Sequence, residues 1–328
     1  MLRCIGMGGM GQVYAAYDPP LDRKVALKVL HEDHQGRYHP RLVREAQALA
    51  RLSHPNVVAV HDVGVHDGRL FVAMELVEGV TLREWLLRHP VRVGSGAKAT
   101  ARLEVVLDVL LQAGEGLAAA HRAGLVHRDF KPGNVLIGDD GRVRVVDFGL
   151  VRVEGRDGDR ERERELAELA SGERGAAVEL LEGLDEGSLT RPGAVVGTPA
   201  YMAPEQFLGT GVGAAADQFG FCVTAWEAVF GGRAFCGRSV VGLLEAVRKG
   251  RVRKAVEVAG AGGLEVVLRK GLAFGPGLRF RGMEGLLAAL REARAAGEGS
   301  APRRSSRWLW LAALVVGGAT ACVALVVG

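Results

Sequence analysis

The stretch His127-Arg128-Asp129-Phe130-Lys131-Pro132-Gly133-Asn134, followed thirteen residues later by Asp147-Phe148-Gly149, decides how this 328-residue chain is read. Asp129 and Asn134 stand five apart in a Pro- and Gly-containing loop, so they can present a base and a metal ligand to one reacting centre. Lys131, two past the Asp, can neutralise charge on a phosphoryl group in transfer. Asp147 ends the β-like run Arg142–Val146. A carboxylate there, with glycine two residues on, suits an Mg²⁺ ligand at the start of a loop.

Upstream lies Gly6-Met7-Gly8-Gly9-Met10-Gly11-Gln12-Val13. Glycines at relative positions one, three and six let backbone N–H groups approach phosphates with no Cβ in the way. The same spacing occurs in dinucleotide-binding turns, where a helix follows directly. Here β-like Val13-Tyr14-Ala15-Ala16-Tyr17 follows, which favours a hairpin lid. Next comes Val25-Ala26-Leu27-Lys28, a lysine on an apolar strand whose ammonium needs an anion or an exit to solvent. Glu45, on a helical segment Pro40–Leu52, is the candidate partner. Downstream, Gly197-Thr198-Pro199-Ala200-Tyr201-Met202-Ala203-Pro204-Glu205 completes five constellations in one order.

Hydrophobic periodicity organises the rest. Short β-branched runs (Gln12–Ala16, Lys24–Leu30, Asn56–Val60, Leu70–Leu76) surround the one helix up to about residue 78. Beyond it, Leu82–Arg88 and Leu103–His121 read as helices, Val135–Ile137 and Val143–Val146 as short strands, and the remainder to Arg294 as mostly helical. A small β-rich part before a larger α-rich part is an α+β, two-lobed plan. Residues 153–187 stand apart, with 12 acidic residues against five arginines; a solvated loop with one marginal amphipathic helix accounts for them.

Composition excludes a disordered, collagenous or disulfide-stapled chain: 48% of residues are hydrophobic, and the four cysteines form no CxxC pair. A net charge of +4 gives no reason to expect nucleic acid as a partner. Mean hydropathy is +0.12, and one segment explains the apolar excess. Residues 308–328 read WLWLAALVVGGATACVALVVG, 21 residues without a charge, enough at about 1.5 Å per residue to span a hydrocarbon core of about 30 Å. Trp308 and Trp310 suit the headgroup zone. Arg303, Arg304 and Arg307, in a basic juxtamembrane linker over 295–307, place the preceding residues in the cytoplasm by the positive-inside rule. The chain's start lacks the apolar region of a secretory signal. The expected location is thus the plasma (inner) membrane, single-pass. Gly317 and Ala321 form a small-xxx-small pair suited to a homodimer in the lipid bilayer.

The five constellations together resemble the protein kinase superfamily, and the forms GGMGxVY and GTPAYMAPEQ look like the bacterial eukaryotic-like serine/threonine kinases. The resemblance covers roughly residues 1–292. It implies a kinase domain over 1–294, with an N-lobe to about 78, a C-lobe over about 79–294 and the acidic insert inside the activation segment. The implied cofactors are ATP and Mg²⁺ (or Mn²⁺), with protein Ser/Thr hydroxyls as acceptors. By motif match, Gly6, Gly8 and Gly11 would cover the phosphates, and Lys28 would hold them while paired with Glu45. Asp129 would be the base, Lys131 would reach the γ-phosphate, and Asn134 and Asp147 would hold the metal. Ile5, Val13 and Ala26 would lie above the adenine and Leu136 below, with the backbone near Glu75–Val77 bonded to it and Met74 in the gatekeeper-like place. Leu49, His127 and Phe148 resemble spine residues, Asp217 the brace of the catalytic loop, and Glu205–Arg279 the anchoring ion pair. Lys131 and Thr198 match the Ser/Thr pattern. Arg128 implies control by phosphorylation, with Ser188 and Thr190 as candidate sites.

The chain departs from the family pattern at Phe130 (usually Leu), at Gly133 (usually Ala or Glu) and at Gly275-Pro276, where Asp-Pro is common. The 58 residues from Asp147 to Glu205 are more than usual, and the N-terminal lead-in before Gly6 is short. The alternatives are a pseudokinase scaffold, which the presence of Lys28, Asp129, Asn134 and Asp147 argues against, and a small-molecule phosphotransferase, which would lack Ala203-Pro204-Glu205.

Overall fold

A computed structural model describes residues 2–8, 11–30, 40–91, 94, 96–148, 199–209, 211–237 and 240–299. The acidic insert, Ser188, Thr190, Thr198 and the apolar segment 308–328 lie outside the described residues. Among the described residues no helix is long and apolar enough to cross a membrane.

The small lobe is a five-stranded antiparallel sheet in the order β1-β2-β3-β5-β4: β1 (Arg3–Gly8), β2 (Gly11–Asp18), β3 (Arg23–Leu30), β4 (Val60–His66) and β5 (Arg69–Glu75). Helix α1 (Pro40–Ala50) packs on β4. The alternation along β5 buries Leu70, Val72 and Met74 on one face, as a period of two requires. β1 and β2 form a hairpin in which Gly8 faces Gly11. Gly11 has φ +151°, and a Cβ there would stand 2.2 Å from the carbonyl oxygen of Val29. The hairpin can therefore lie this close to β3 only with glycine at that position.

Asn56–Val60 does not form the strand that its apolar run suggests; β4 begins at Val60. Val57 and Val58 are buried because they face the large lobe. There Val58 N–H donates to Val145 and Val145 N–H to Asn56. Burial produced the apolar run, while β4 itself is a polar edge strand, as edge strands commonly are.

In the large lobe, β6 (Gly79–Thr81), β7 (Val135–Gly138) and β8 (Val143–Val145) make a small sheet beside α2 (Leu82–Arg88). Thr81 caps α2 through a reciprocal box with Glu84. The long helix α3 (Ala97–Arg122) packs on α5 (Ala214–Phe230) and α8 (Gly282–Gly299). α4 (Pro204–Leu208), α6 (Val240–Arg248) and α7 (Gly262–Gly271) complete the described helices. α5 is the core of this lobe: Phe219, Phe221 and Trp226 are all buried on it, and so are the polar Asp217, Gln218 and Thr224, so it is buried around its circumference.

Candidate active site

The site rests on α5. Asp217, buried in its first turn, accepts hydrogen bonds from the backbone N–H groups of His127 and Arg128, both at 2.7 Å, and lies 2.8 Å from His121 Nε2. A buried carboxylate is tolerable only with such donors. Here it ties the loop 127–134 to the most buried of the described helices. Gly220, one turn on, lets the helix approach the loop: a Cβ there would sit 2.9 Å from the Phe130 carbonyl.

Hydrogen-bond chemistry sets the state of His127. Its Nε2 lies 2.9 Å from the Val146 carbonyl, which can only accept, and its Nδ1 lies 3.2 Å from the Asp129 N–H, which can only donate. The ring is therefore the neutral Nε2–H tautomer. Burial pushes its pKa below the ordinary 6.5, against the pull of Asp217, Asp129 and Asp147. Phe148 packs on His127 at 4.7 Å between centroids, Phe130 at 5.7 Å, and Phe130 in turn meets Phe221 on α5. Phenylalanine in place of the expected leucine thus carries the aromatic column down to the core helix.

Asp129, Lys131 and Asn134 converge. The Lys131 ammonium donates to Asp129 Oδ2 at 2.6 Å, and the Asn134 amide donates to the Asp129 carbonyl at 2.8 Å and to Oδ2 at 3.2 Å. Val146 N–H donates to the Asn134 carbonyl, which joins this loop to the segment that delivers Asp147. Asp147 itself has φ +57°, a left-handed backbone that turns its carboxylate toward β3.

There Lys28 meets it: Nζ donates to Asp147 Oδ1 at 2.9 Å. The Lys28–Glu45 pairing implied by the resemblance is replaced by two others. Lys28, only 6% exposed at its side chain, takes Asp147 as its anion, and Glu45 on α1 lies 3.7 Å from Arg128 Nη1. Arg128, with its left-handed backbone of φ +64°, is the residue whose guanidinium faces the carboxylate on α1. Arg128 Nε is buried without a hydrogen-bond partner among the described residues.

The apolar residues expected around a base are divided between the two sheets and the hairpin. Ala26 and Met74 are cross-strand neighbours, Val13 pairs with Lys28, and Leu136 pairs with Thr81 in the small sheet. Ile5 lies at the β-bulge between Cys4 and Gly6 and is 41% exposed. Gly6 has open space: a Cβ would come no closer than 3.7 Å, to Val13. Among the described residues no cluster of three or more His, Cys, Asp or Glu could hold a metal alone. Asn134 and Asp147 supply one amide and one carboxylate, the sparse donor set that Mg²⁺ takes when phosphates complete its shell.

Glu205 and Arg279 form a fully buried bidentate pair at 2.6 and 2.9 Å. The other donors of Arg279 reach the carbonyls of Ala215, Ala273 and Phe274, so α4, α5 and the turn before α8 are joined at one guanidinium. Sequence reasoning missed two residues. Arg144 bonds Glu75 and Asp140, each at 2.8 Å, and so fastens the end of β5 to the β7–β8 hairpin. His121 partners Asp217 from the end of α3. An arginine between two valines in a buried strand was the available signal for the first; the second had none.

A model of the protein kinase domain matches residues 1–258. Serine/threonine-protein kinase PknA of Mycobacterium tuberculosis is 37% identical over 244 residues, covering 72% of this chain and 47% of that protein. PknL of the same species is 36% identical over 241 residues, covering 73% and 51%. The chain thus aligns with about half the length of these curated relatives. The crystal structure of the Mycobacterium tuberculosis PknI kinase domain superposes with a TM-score of 0.59 at 26% identity, covering 89% of this chain and 94% of that one.

Proposed function

The chain belongs to the protein kinase family, and on that premise we propose that it is a serine/threonine protein kinase, moving the γ-phosphate of ATP to Ser/Thr hydroxyls of protein substrates. One observation carries this reading: Asp129, Lys131 and Asn134 are gathered by direct hydrogen bonds on a loop fastened to Asp217. Asp129 accepts the proton of the substrate hydroxyl at its carboxylate. Lys131, already on Asp129 Oδ2, offsets negative charge on the group in transfer. Asn134 and Asp147 would hold Mg²⁺ or Mn²⁺, which would supply charge neutralisation on the phosphates. Lys28 engages those phosphates from β3, and Gly6 leaves room for a backbone N–H to approach them. Family membership and the relatives' names support the Ser/Thr class, as does Lys131 two past the base.

Further parts of the reading rest on sequence. Residues 308–328 anchor the chain in the plasma membrane with the kinase domain on the cytoplasmic side, and the Gly317/Ala321 pair allows a homodimer there. Phosphorylation of Ser188 or Thr190 adds a second anion for Arg128, whose Nη1 already faces Glu45; its buried Nε without a hydrogen-bond partner among the described residues supports this.

The test uses the full chain in lipid nanodiscs with labelled ATP, Mg²⁺ and a generic protein substrate, beside Asp129→Asn. Label on Ser or Thr with the wild type alone is the expected result. Equal background incorporation by both would instead favour a scaffold without phosphotransfer. Mass spectrometry of the autophosphorylated chain tests Ser188 and Thr190.

A further inference from the structure

Gln206, buried at the third position of α4, makes two opposite hydrogen bonds with one amide. Its Oε1 accepts the N–H of Ala203 at 2.9 Å, and its Nε2 donates to the carbonyl of Arg128 at 2.7 Å. That carbonyl belongs to the peptide unit joining Arg128 to Asp129. The N–H of the same rigid unit donates to His127 Nδ1 at 3.2 Å. The plane leading into Asp129 is therefore held at both polar edges by side chains, Gln206 on one and His127 on the other. The plane follows a residue with a disfavoured left-handed backbone, Arg128 at φ +64°, and its rotation would change ψ of Arg128 and φ of Asp129, the two angles that set how the chain enters the base.

We propose that Gln206 is a positioning residue for Asp129, coupling the seating of the Ala203–Gln206 segment to the orientation of the base. The proposal rests on the kinase reading for its catalytic consequence, and on geometry alone for the clamp. Its chemistry is specific to glutamine. The Ala203 cap needs an acceptor and the Arg128 carbonyl needs a donor. Glutamate supplies the first only, methionine neither, and asparagine is one methylene too short to span both. A base oriented in this way responds to the state of the segment before α4.

The test compares the full chain with its Gln206→Glu and Gln206→Met variants. Both should lower kcat roughly 10- to 100-fold, the scale of a small misplacement at a reacting group. KM for ATP and the affinity for mant-ADP with Mg²⁺ should stay unchanged. Combined with Asp129→Asn, neither substitution should lower the residual rate further, since the group being positioned is gone; a merely structural role would multiply the losses. Gln206→Glu keeps the cap acceptor, so it carries the test if Gln206→Met fails to fold. Amide exchange at Asp129 gives a readout independent of catalysis and should accelerate in Gln206→Glu. Wild-type kcat with unchanged Asp129 exchange overturns the clamp. Faster exchange in a chain whose wild type transfers no phosphate upholds the clamp and overturns the kinase reading instead.

Discussion

Lys28 Nζ and Asp147 Oδ1 stand 2.9 Å apart, an ion pair running from the third strand of the small lobe to the loop end of the large one. The side chain of Lys28 is nearly buried and that of Asp147 about one-third exposed, so the pair is a bridge between lobes with one end open to the cleft. The same ammonium is the cation that the proposed reaction requires beside the phosphates.

Replacing it should therefore damage catalysis more than folding. Lys28→Met should lower kcat/KM for ATP about 10²- to 10³-fold, the usual cost of removing one preorganised charge contact. Steady-state kinetics at varied ATP, with thermal melting on the same samples, checks this. Near-wild-type kinetics would remove Lys28 from the site.

The Glu205–Arg279 pair behaves oppositely. Arg279→Met leaves a buried carboxylate without its cation and should destabilise the large lobe by about 3–5 kcal/mol. Combining it with Glu205→Leu should recover a substantial part of that loss, because the pair's removal also removes the desolvated charge. Urea unfolding of both singles and the double measures the coupling.

Acid should weaken the fold in a defined window. His127 is neutral in the folded chain with its pKa lowered from 6.5 by burial, so the unfolded chain binds the extra proton first. Its stabilising contribution is complete above pH 6.5 and is lost as pH falls below that value toward the lowered folded pKa. His54 and His61, also lowered mainly by burial, act in the same direction. The melting temperature should fall between about pH 7 and pH 5, and Asn in place of His127 should flatten that slope. A wild-type curve flat across this window would contradict the neutral assignment.

Two glycines of the hairpin should separate cleanly. Gly11→Ala forces a Cβ against the Val29 carbonyl at φ +151° and should cost about 1–3 kcal/mol of stability. Gly6→Ala meets nothing closer than 3.7 Å and should leave the melting temperature unchanged while raising KM for ATP. Equal melting losses for both would refute the distinction.

How much was legible differs from residue to residue. Asp129, Lys131 and Asn134 could be read because their chemistry needs those types within one short loop, where spacing alone brings them close. β3 and β5 could be read because short β-branched and apolar runs favour strands, and β5 also alternates. Asn56–Val60 misled, since Val57 and Val58 are apolar for contact with β8, a cause that looks the same as strand burial in one dimension. Arg144 was passed over because its partner Glu75 lies 69 residues earlier, reached only when β8 comes beneath the end of β5.

By itself, then, the sequence determined the residue types of the site, their local order and the two-lobed α+β plan, because loop chemistry and hydrophobic period are short-range properties. The tertiary structure decided which charges meet. Lys28 turned to Asp147 and Glu45 to Arg128, and one amide of Gln206 came to hold the peptide before the base. Ion pairs and clamps of this kind form between elements tens of residues apart. Their partners are settled by the backbone angles at Arg128 and Asp147 and by the burial of Lys28, which leaves its ammonium no exit to water.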